Sequence, residues 1–313
     1  MSEIFSKIIS TGSYLPDKIL SNKDIERIVD TSDEWIIERT GIKKRHIAST
    51  EESSVDMAYK ASLDAIERSK INVKEIDIII VATTTPERKF PSTAVLLQNK
   101  LNLKDAFAFD VNAACTGFVY AIDIADKYIK GGNAKNILVV GTEKITSLLD
   151  WKDRNTCVLF GDGAGAVILA NSSKPGILSS TIGSDGSYKD LLTVNTDPEF
   201  IEMKGNDVFK IAVNTLGKLA TETLKKNNIT ATELDWFIPH QANSRIINAI
   251  AKKIQLSSEK IVMTVDKHGN TSAASIPLAL DDCNKRGLLK KGNLIMFEAF
   301  GAGFTWGSTL LRF

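Results

Sequence analysis

The amino-acid sequence predicts an α/β fold made of two duplicated halves packed against each other. Three observations lead to that class. The chain has 313 residues, too many for one small core and suited to a large α/β unit or two fused halves. The runs "IDIIIVAT", "NILVVG" and "LDWFIPH" are near-continuously apolar, as in strands of sheets covered on both faces. One order of elements also occurs twice: helix, turn, strand, Gly-rich turn, strand.

In the first copy, the apolar run "AFAFDV" leads to Cys115, which lies among Ala113, Ala114, Thr116 and Gly117. Gly117, Ala121, Ile124, Ala125 and Tyr128 recur at three- and four-residue spacing and predict a buried helix. "GGNAK" turns the chain into the strand "NILVVG". "FGDGAGAVILA" then resembles a phosphate loop, but apolar strand-like residues flank it on both sides. It is read as a tight strand bend, because a dinucleotide loop would open a helix. The turn-rich "ANSSKPGIL" marks the join, giving halves 1–172 and 173–313. In the second copy the strand "DWFIPH" ends at His240, and the helix "QANSRIINAIAKKI" follows. Asn270, within "KHGNTSAAS", lies just ahead of a helix from Ser272 to about Arg286. Gly287 and "KKG" turn the chain, "NLIMFEAF" is a strand, and "FGAGFTWGSTLLRF" closes the pattern. Cys157 is placed in a strand and Cys283 in a helix.

A formal net charge of +1 gives no electrostatic footprint for nucleic acid or an anionic membrane. No apolar run is long enough to span a bilayer, and "MSEIFSKIISTG" lacks the layout of a signal peptide. Three scattered cysteines make neither a disulfide scaffold nor a zinc site, so the expected compartment is the reducing cytoplasm.

Three polar residues break the apolar pattern at element ends. Cys115 stands at a strand-to-helix junction, His240 at the end of a strand, and Asn270 just ahead of the second repeat's helix. Chemistry collects at such ends in open α/β sheets. In repeat register Asn270 falls close to the position of Cys115, so the two would face each other across the join with His240 beside them. Each has an ordinary explanation alone: a core thiol, a hydrogen-bonded spacer, a helix cap. Their coincidence in a duplicated fold points to a site.

The motifs "STGSYLP", "TSDEWI..RTGI", "FPS", "AAC.GF", "FGDGAGA", "DW..PHQAN.RI", "D..GNTSAAS" and "EAFGAGFTWGS" run from residue 10 to the C-terminus. Through them the chain resembles the β-ketoacyl-acyl-carrier-protein synthase III family, acyltransferases that start bacterial type II fatty acid synthesis. The resemblance implies the thiolase-like fold, two βαβαβαββ halves in a five-layered αβαβα sandwich, as a homodimer. It implies Cys115 as nucleophile, with His240 and Asn270 handling decarboxylation of a malonyl thioester. A thiolate accepts an acyl group from an acyl-coenzyme A primer, and the dipole of the helix that Cys115 opens would favour that thiolate. The enolate left by carbon dioxide loss would take hydrogen bonds from His240 Nε2–H and the Asn270 amide, and the carbanion would attack the acyl-Cys. Backbone N–H groups of Cys115 and Ala302 would hold the second oxyanion. The family often has glycine where Ala302 stands. Alanine serves there unless φ must be positive.

The resemblance further implies a coenzyme A channel. Trp35 and Arg154 would sandwich the adenine, Arg39 and Asn206 would lie near the phosphates and pantetheine, and Asn243 and Phe209 would line the way in. Phe90 would reach across a dimer to limit the partner's acyl pocket. No cofactor is implied, since coenzyme A thioesters are substrates. Arg245, Lys252 and Lys253 share a helix face at i, i+7 and i+8, and such a basic stripe suits an acidic partner. With Gln241, Ala242, Asn243 and Ser244 it forms the expected acyl-carrier-protein surface.

Other classes fit less well. A thiolase would need a second cysteine where "FGAGFTWG" stands, and no clear match appears for the glutamate acid/base of a hydroxymethylglutaryl-coenzyme A synthase. Chalcone synthase-like enzymes usually have longer chains, and a catalytically dead subunit would have lost a triad member. A homologue priming polyketide, quinolone or other secondary metabolism stays open, as does the choice between acetyl and branched primers.

Overall fold

The computed structural model describes residues 3–313. A first sheet contains β1 (Phe5–Tyr14), β2 (Ile78–Ala82), β3 (Phe107–Val111), β4 (Asn136–Glu143) and β5 (Gly163–Ser172), in the order β1-β5-β4-β2-β3. β2 runs parallel to β3 and β4, and β5 is antiparallel to β1 and β4. The second sheet contains β6 (Ile177–Ser184), β7 (Trp236–Pro239), β8 (Leu294–Gly301) and β9 (Thr305–Arg312), in the order β7-β8-β9-β6. Its directions repeat those of the first sheet: β7 is parallel to β8, and β9 is antiparallel to β8 and β6.

Five layers follow from which faces are apolar. Along β2, Ile78 and Ile80 join one core cluster while Ile79 and Val81 join another, as a strand covered on both faces requires. Outside the first sheet lie α1 (Ser54–Ser69), opened by a Ser53–Asp56 capping box, and α2 (Thr93–Lys100). The middle layer is α3 (Gly117–Lys130) and α6 (Ser275–Lys285), with Phe118, Val119, Ile122, Ile276, Ala279 and Leu280 fully or nearly fully buried between the sheets. Outside the second sheet lie α4 (Gly205–Lys226) and α5 (Ser244–Lys253).

The strand pattern departs from strict duplication once. Where β3 has its counterpart, the second sheet keeps only a parallel bridge from Phe237 to Ile261. The Gln241 side chain takes the neighbouring backbone groups: it donates to Val262 O at 3.1 Å and accepts from Thr264 N at 2.7 Å. A ladder has no free groups to extend along. Cys157 also differs from expectation, since it ends a short helix, Arg154–Cys157, instead of lying in a strand.

The two middle helices are approached by matching turns. Ala114 (φ 47) and Ser272 (φ 48) both take left-handed backbone, and the Asn two residues earlier bonds each backbone N–H through its side-chain oxygen. The structural repeat therefore aligns Asn270 with Asn112, three residues before Cys115. The second turn packs against β4 at Gly141, where an added Cβ would lie 2.3 Å from Ala273 O.

Candidate active site

A cavity of about 120 Å³ opens between the second sheet and α4 and α5, and Cys115, His240 and Asn270 all line it. Cys115 lies on the 3₁₀ turn Ala114–Thr116 that precedes α3. The helix has no side-chain cap at Thr116, so its first backbone N–H groups keep their donor capacity near the thiol. Burial pushes the Cys115 thiol up to about 11, with the Ser272 hydroxyl pulling the other way and the Glu143 carboxylate adding to the rise. Cys115 stands two residues before the start of α3.

His240 follows β7 and is held by its backbone N–H to Glu298 O at 2.7 Å. Its ring Nδ1 lies 2.6 Å from Ser275 Oγ, and that oxygen accepts from Gln241 N at 3.3 Å. Ser275 thus has its own proton to give to Nδ1, which assigns the remaining ring proton to Nε2. Burial pushes the imidazole down to about 3, so it is neutral near neutral pH. Asn270 Oδ1 accepts from Ser272 N at 2.9 Å, which leaves the Nδ2 amide protons as donors. Two neutral donors therefore line the same cavity as the thiol.

Ala302 is absent from the positive-φ residues, so alanine is unstrained where glycine is frequent; Gly303 takes the positive φ, at 132°. At Gly301 an added Cβ would lie 2.9 Å from Cys115 N, which fixes the strand end against the nucleophile turn. Thr305 Oγ1 lies 3.1 Å from Ala113 O and 3.1 Å from Thr116 Oγ1, fastening the other side of that turn.

Phe209 and Asn243 line the cavity, whereas Asn206 is exposed on the first turn of α4 and is not part of the lining. Asn243 caps α5 and donates to Arg39 O at 3.0 Å. Two guanidinium groups lie over the Trp35 ring, Arg154 Cζ at 5.1 Å and Arg39 Cζ at 5.8 Å from its centroid. At that distance no ring fits between Arg154 and the indole. Phe90 is 84% exposed.

The basic residues of α5 are exposed, and Arg245 Cζ lies 5.4 Å from the Phe209 ring at the cavity wall. Lys252 and Lys253 continue away from it, with Lys253 lying over Gly217 of α4. Ala242 and Ser244 are half-buried. Gln241 does not belong to a docking surface: it is 1% exposed, and its amide is spent on Pro239 O, Val262 O and Thr264 N. Sequence reasoning also missed Ser275, Ser272, Glu143, Thr305 and Glu298. Ser272 and Ser275 lie inside the quoted "GNTSAAS", and only their hydroxyl partners, far away in sequence, show what they do.

Two equivalent sheets around shared helices, with a cysteine on one linking turn and an asparagine on the other, define a thiolase-like protein. Family models for 3-oxoacyl-[acyl-carrier-protein] synthase III match residues 109–186 and, for the C-terminal part, 224–313. The β-ketoacyl-[acyl-carrier-protein] synthase III of Thioalkalivibrio sulfidiphilus is 55% identical over 99% of both chains. The crystal structure of the Aquifex aeolicus synthase III superposes with a TM-score of 0.96 at 50% identity, covering 98% of this chain and 100% of that one. The priming β-ketosynthase of a polyketide biosynthetic pathway gives 0.95 at 34% identity, covering 98% and 96%. The chain belongs to the 3-oxoacyl-[acyl-carrier-protein] synthase III family.

Proposed function

We propose that the protein condenses a short acyl-coenzyme A, acetyl-coenzyme A first among them, with malonyl-acyl carrier protein, giving 3-oxoacyl-acyl carrier protein, coenzyme A and carbon dioxide. This is the initiating condensation of type II fatty acid synthesis. The observation that carries it is the pair of neutral donors, His240 Nε2 and Asn270 Nδ2, lining one cavity with the Cys115 thiol. Cys115 takes the acyl group, so one difficult step becomes two easier ones. The donor pair stabilises the enolate that carbon dioxide loss creates. Backbone N–H groups of Cys115 and Ala302 receive the second oxyanion. The higher identity to fatty acid synthases than to the polyketide priming enzyme supports primary metabolism.

The division at Ser172 gives the nucleophile to residues 1–172 and both donors to 173–313. Thioester substrates bring the reactive groups, and no further cofactor is needed. Coenzyme A enters past Trp35, Arg39, Arg154, Phe209 and Asn243, and acyl carrier protein docks on Arg245, Lys252 and Lys253. A homodimer in the cytoplasm fits the surface. β3 is an edge strand carrying half-exposed Phe107, and Phe90 is an apolar side chain left in water. Among the described residues no helix is long and apolar enough to cross a membrane. A panel of acyl-coenzyme A primers offered with malonyl-acyl carrier protein tests the reading. The 3-oxoacyl product should form, fastest with a short primer, and its absence with every primer would refute the proposal.

A further inference from the structure

We propose that the paired hydroxyls of Thr116 and Thr305 position the oxyanion site at Cys115, by fixing the Cys115 and Ala302 backbone N–H groups relative to each other. The proposal rests on the reading of those two N–H groups as the donors to the second oxyanion.

The two N–H groups belong to different pieces of chain. Cys115 lies on the 3₁₀ turn Ala114–Thr116 ahead of α3, and Ala302 lies in the short loop 302–304 between β8 and β9. At Gly301 the pieces meet through bare backbone. An added Cβ there would lie 2.9 Å from Cys115 N, 3.1 Å from Ala113 O and 3.1 Å from Thr116 N. Packing of that kind limits approach but fixes no angle, whereas hydrogen bonds are directional.

Two hydroxyls supply the direction. Thr116 Oγ1 donates to Thr305 O at 3.2 Å. Thr305 Oγ1 lies 3.1 Å from Ala113 O, 3.1 Å from Thr116 Oγ1 and 3.3 Å from Ala302 O. Each hydroxyl has one proton to give. With the Thr116 proton on Thr305 O, the Thr305 proton is the one that reaches Ala113 O and Thr116 Oγ1. The bonds therefore run both ways across the gap. Among the described residues no other side chain hydrogen-bonds the turn to this loop.

The surrounding fold has other anchors. β8 and β9 are paired from Leu294 with Arg312 to Gly301 with Thr305. Phe304 exchanges two backbone bonds with Asp185, at 2.7 and 2.8 Å, where the loop meets the end of β6. The decarboxylation donors are also supported elsewhere, His240 by Ser275 and Asn270 by Ser272. Thr305 therefore bears on the steps in which the acyl carbonyl on Cys115 becomes tetrahedral, acylation and condensation. It does not bear on loss of carbon dioxide.

Thr305→Val removes the hydroxyl and keeps the side-chain shape. Acetyl transfer from acetyl-coenzyme A to Cys115 should slow about ten- to a hundredfold, the scale of a misplaced oxyanion donor. Decarboxylation of malonyl-acyl carrier protein without primer should stay at the wild-type rate. Thr305→Ser, which keeps the hydroxyl, should restore acetylation. The infrared carbonyl stretch of an isotope-labelled acetyl group on Cys115 reads the donors directly. In Thr305→Val it should move to higher frequency, toward that of a thioester in no hydrogen bond. Thr116→Val carries the same test should the first variant fail to fold, and failure of both to fold would make the pair structural and overturn the proposal. Wild-type acetylation in Thr305→Val, equal losses in both half-reactions, or a loss that serine does not restore overturns the positioning role alone. A wild-type acetyl band already at the frequency of a free thioester overturns the two-donor reading and the positioning role with it. Failure of the wild-type protein to acetylate at Cys115 overturns the nucleophile reading as well.

Discussion

Asn270 accepts the backbone N–H of Ser272 through its side-chain oxygen at 2.9 Å, so its amide nitrogen is the group left to donate. That orientation distinguishes a working donor from a structural cap. Asn270→Asp keeps the bond to Ser272 and removes the donor. Decarboxylation of malonyl-acyl carrier protein should fall about 10²–10³-fold, as for loss of one oxyanion donor. An aspartate variant that decarboxylates at the wild-type rate would remove Asn270 from the donor pair.

His240 depends on a second serine. With Ser275→Ala, Nδ1 loses its partner at 2.6 Å and nothing fixes the proton on Nε2. A fall of about ten- to a hundredfold in decarboxylation is expected, matching about 1–3 kcal/mol for a buried unsatisfied group. Acetylation of Cys115 should change less. Equal losses in both half-reactions would mean that Ser275 supports the fold instead of the ring.

Both donors, and not one, are needed by the enolate. His240→Ala should abolish decarboxylation yet leave some acetylation of Cys115, because the first backbone N–H groups of α3 remain in place. Rapid-quench assays of the two half-reactions separate these effects.

Arg245 lies exposed beside Phe209 at the cavity wall, where an acidic carrier would bring charge against α5. Arg245→Glu should raise KM for malonyl-acyl carrier protein several-fold and flatten its salt dependence, since rim charges act mainly on association. Acetyl-coenzyme A, which brings no protein surface, should still acylate Cys115 at close to the normal rate. Parallel losses with both substrates would place Arg245 in the channel or the fold.

Much of this was readable in advance, for physical reasons. Near-continuous apolar runs such as Ile78–Ala82, short and β-branched, read as strands covered on both faces, and the repeated order of elements carries the topology. Cys115, His240 and Asn270 stood out because polar residues at element ends interrupt that pattern. What stayed hidden depends on partners distant in sequence. Ser272 meets Glu143 across 129 positions, and Ser275 meets His240 across 35, so no local periodicity records either pair. Gln241 looked like surface beside a basic helix, and only the structure shows its amide filling the place of a strand ladder.

Glu298 gives a test of burial that is independent of turnover. Its carboxyl is fully buried with neither oxygen partnered, and burial holds its pKa well above 4.5. A carboxyl raised in the folded state costs stability once the unfolded chain ionises, so that cost grows as pH climbs past 4.5. Glu298→Gln should therefore melt with the wild type near about pH 4 and above it by about pH 8. Melting curves that keep a constant offset across this range would show that Glu298 is not held neutral.

The most direct measurement is the position of the acyl group. The protein, incubated with acetyl-coenzyme A alone and then digested, should carry acetyl on the peptide containing Cys115 and on no other. Cys157 and Cys283 are both 0% exposed in the core and should stay unmodified. Acetyl on either of them, or on none of the three, would contradict the account.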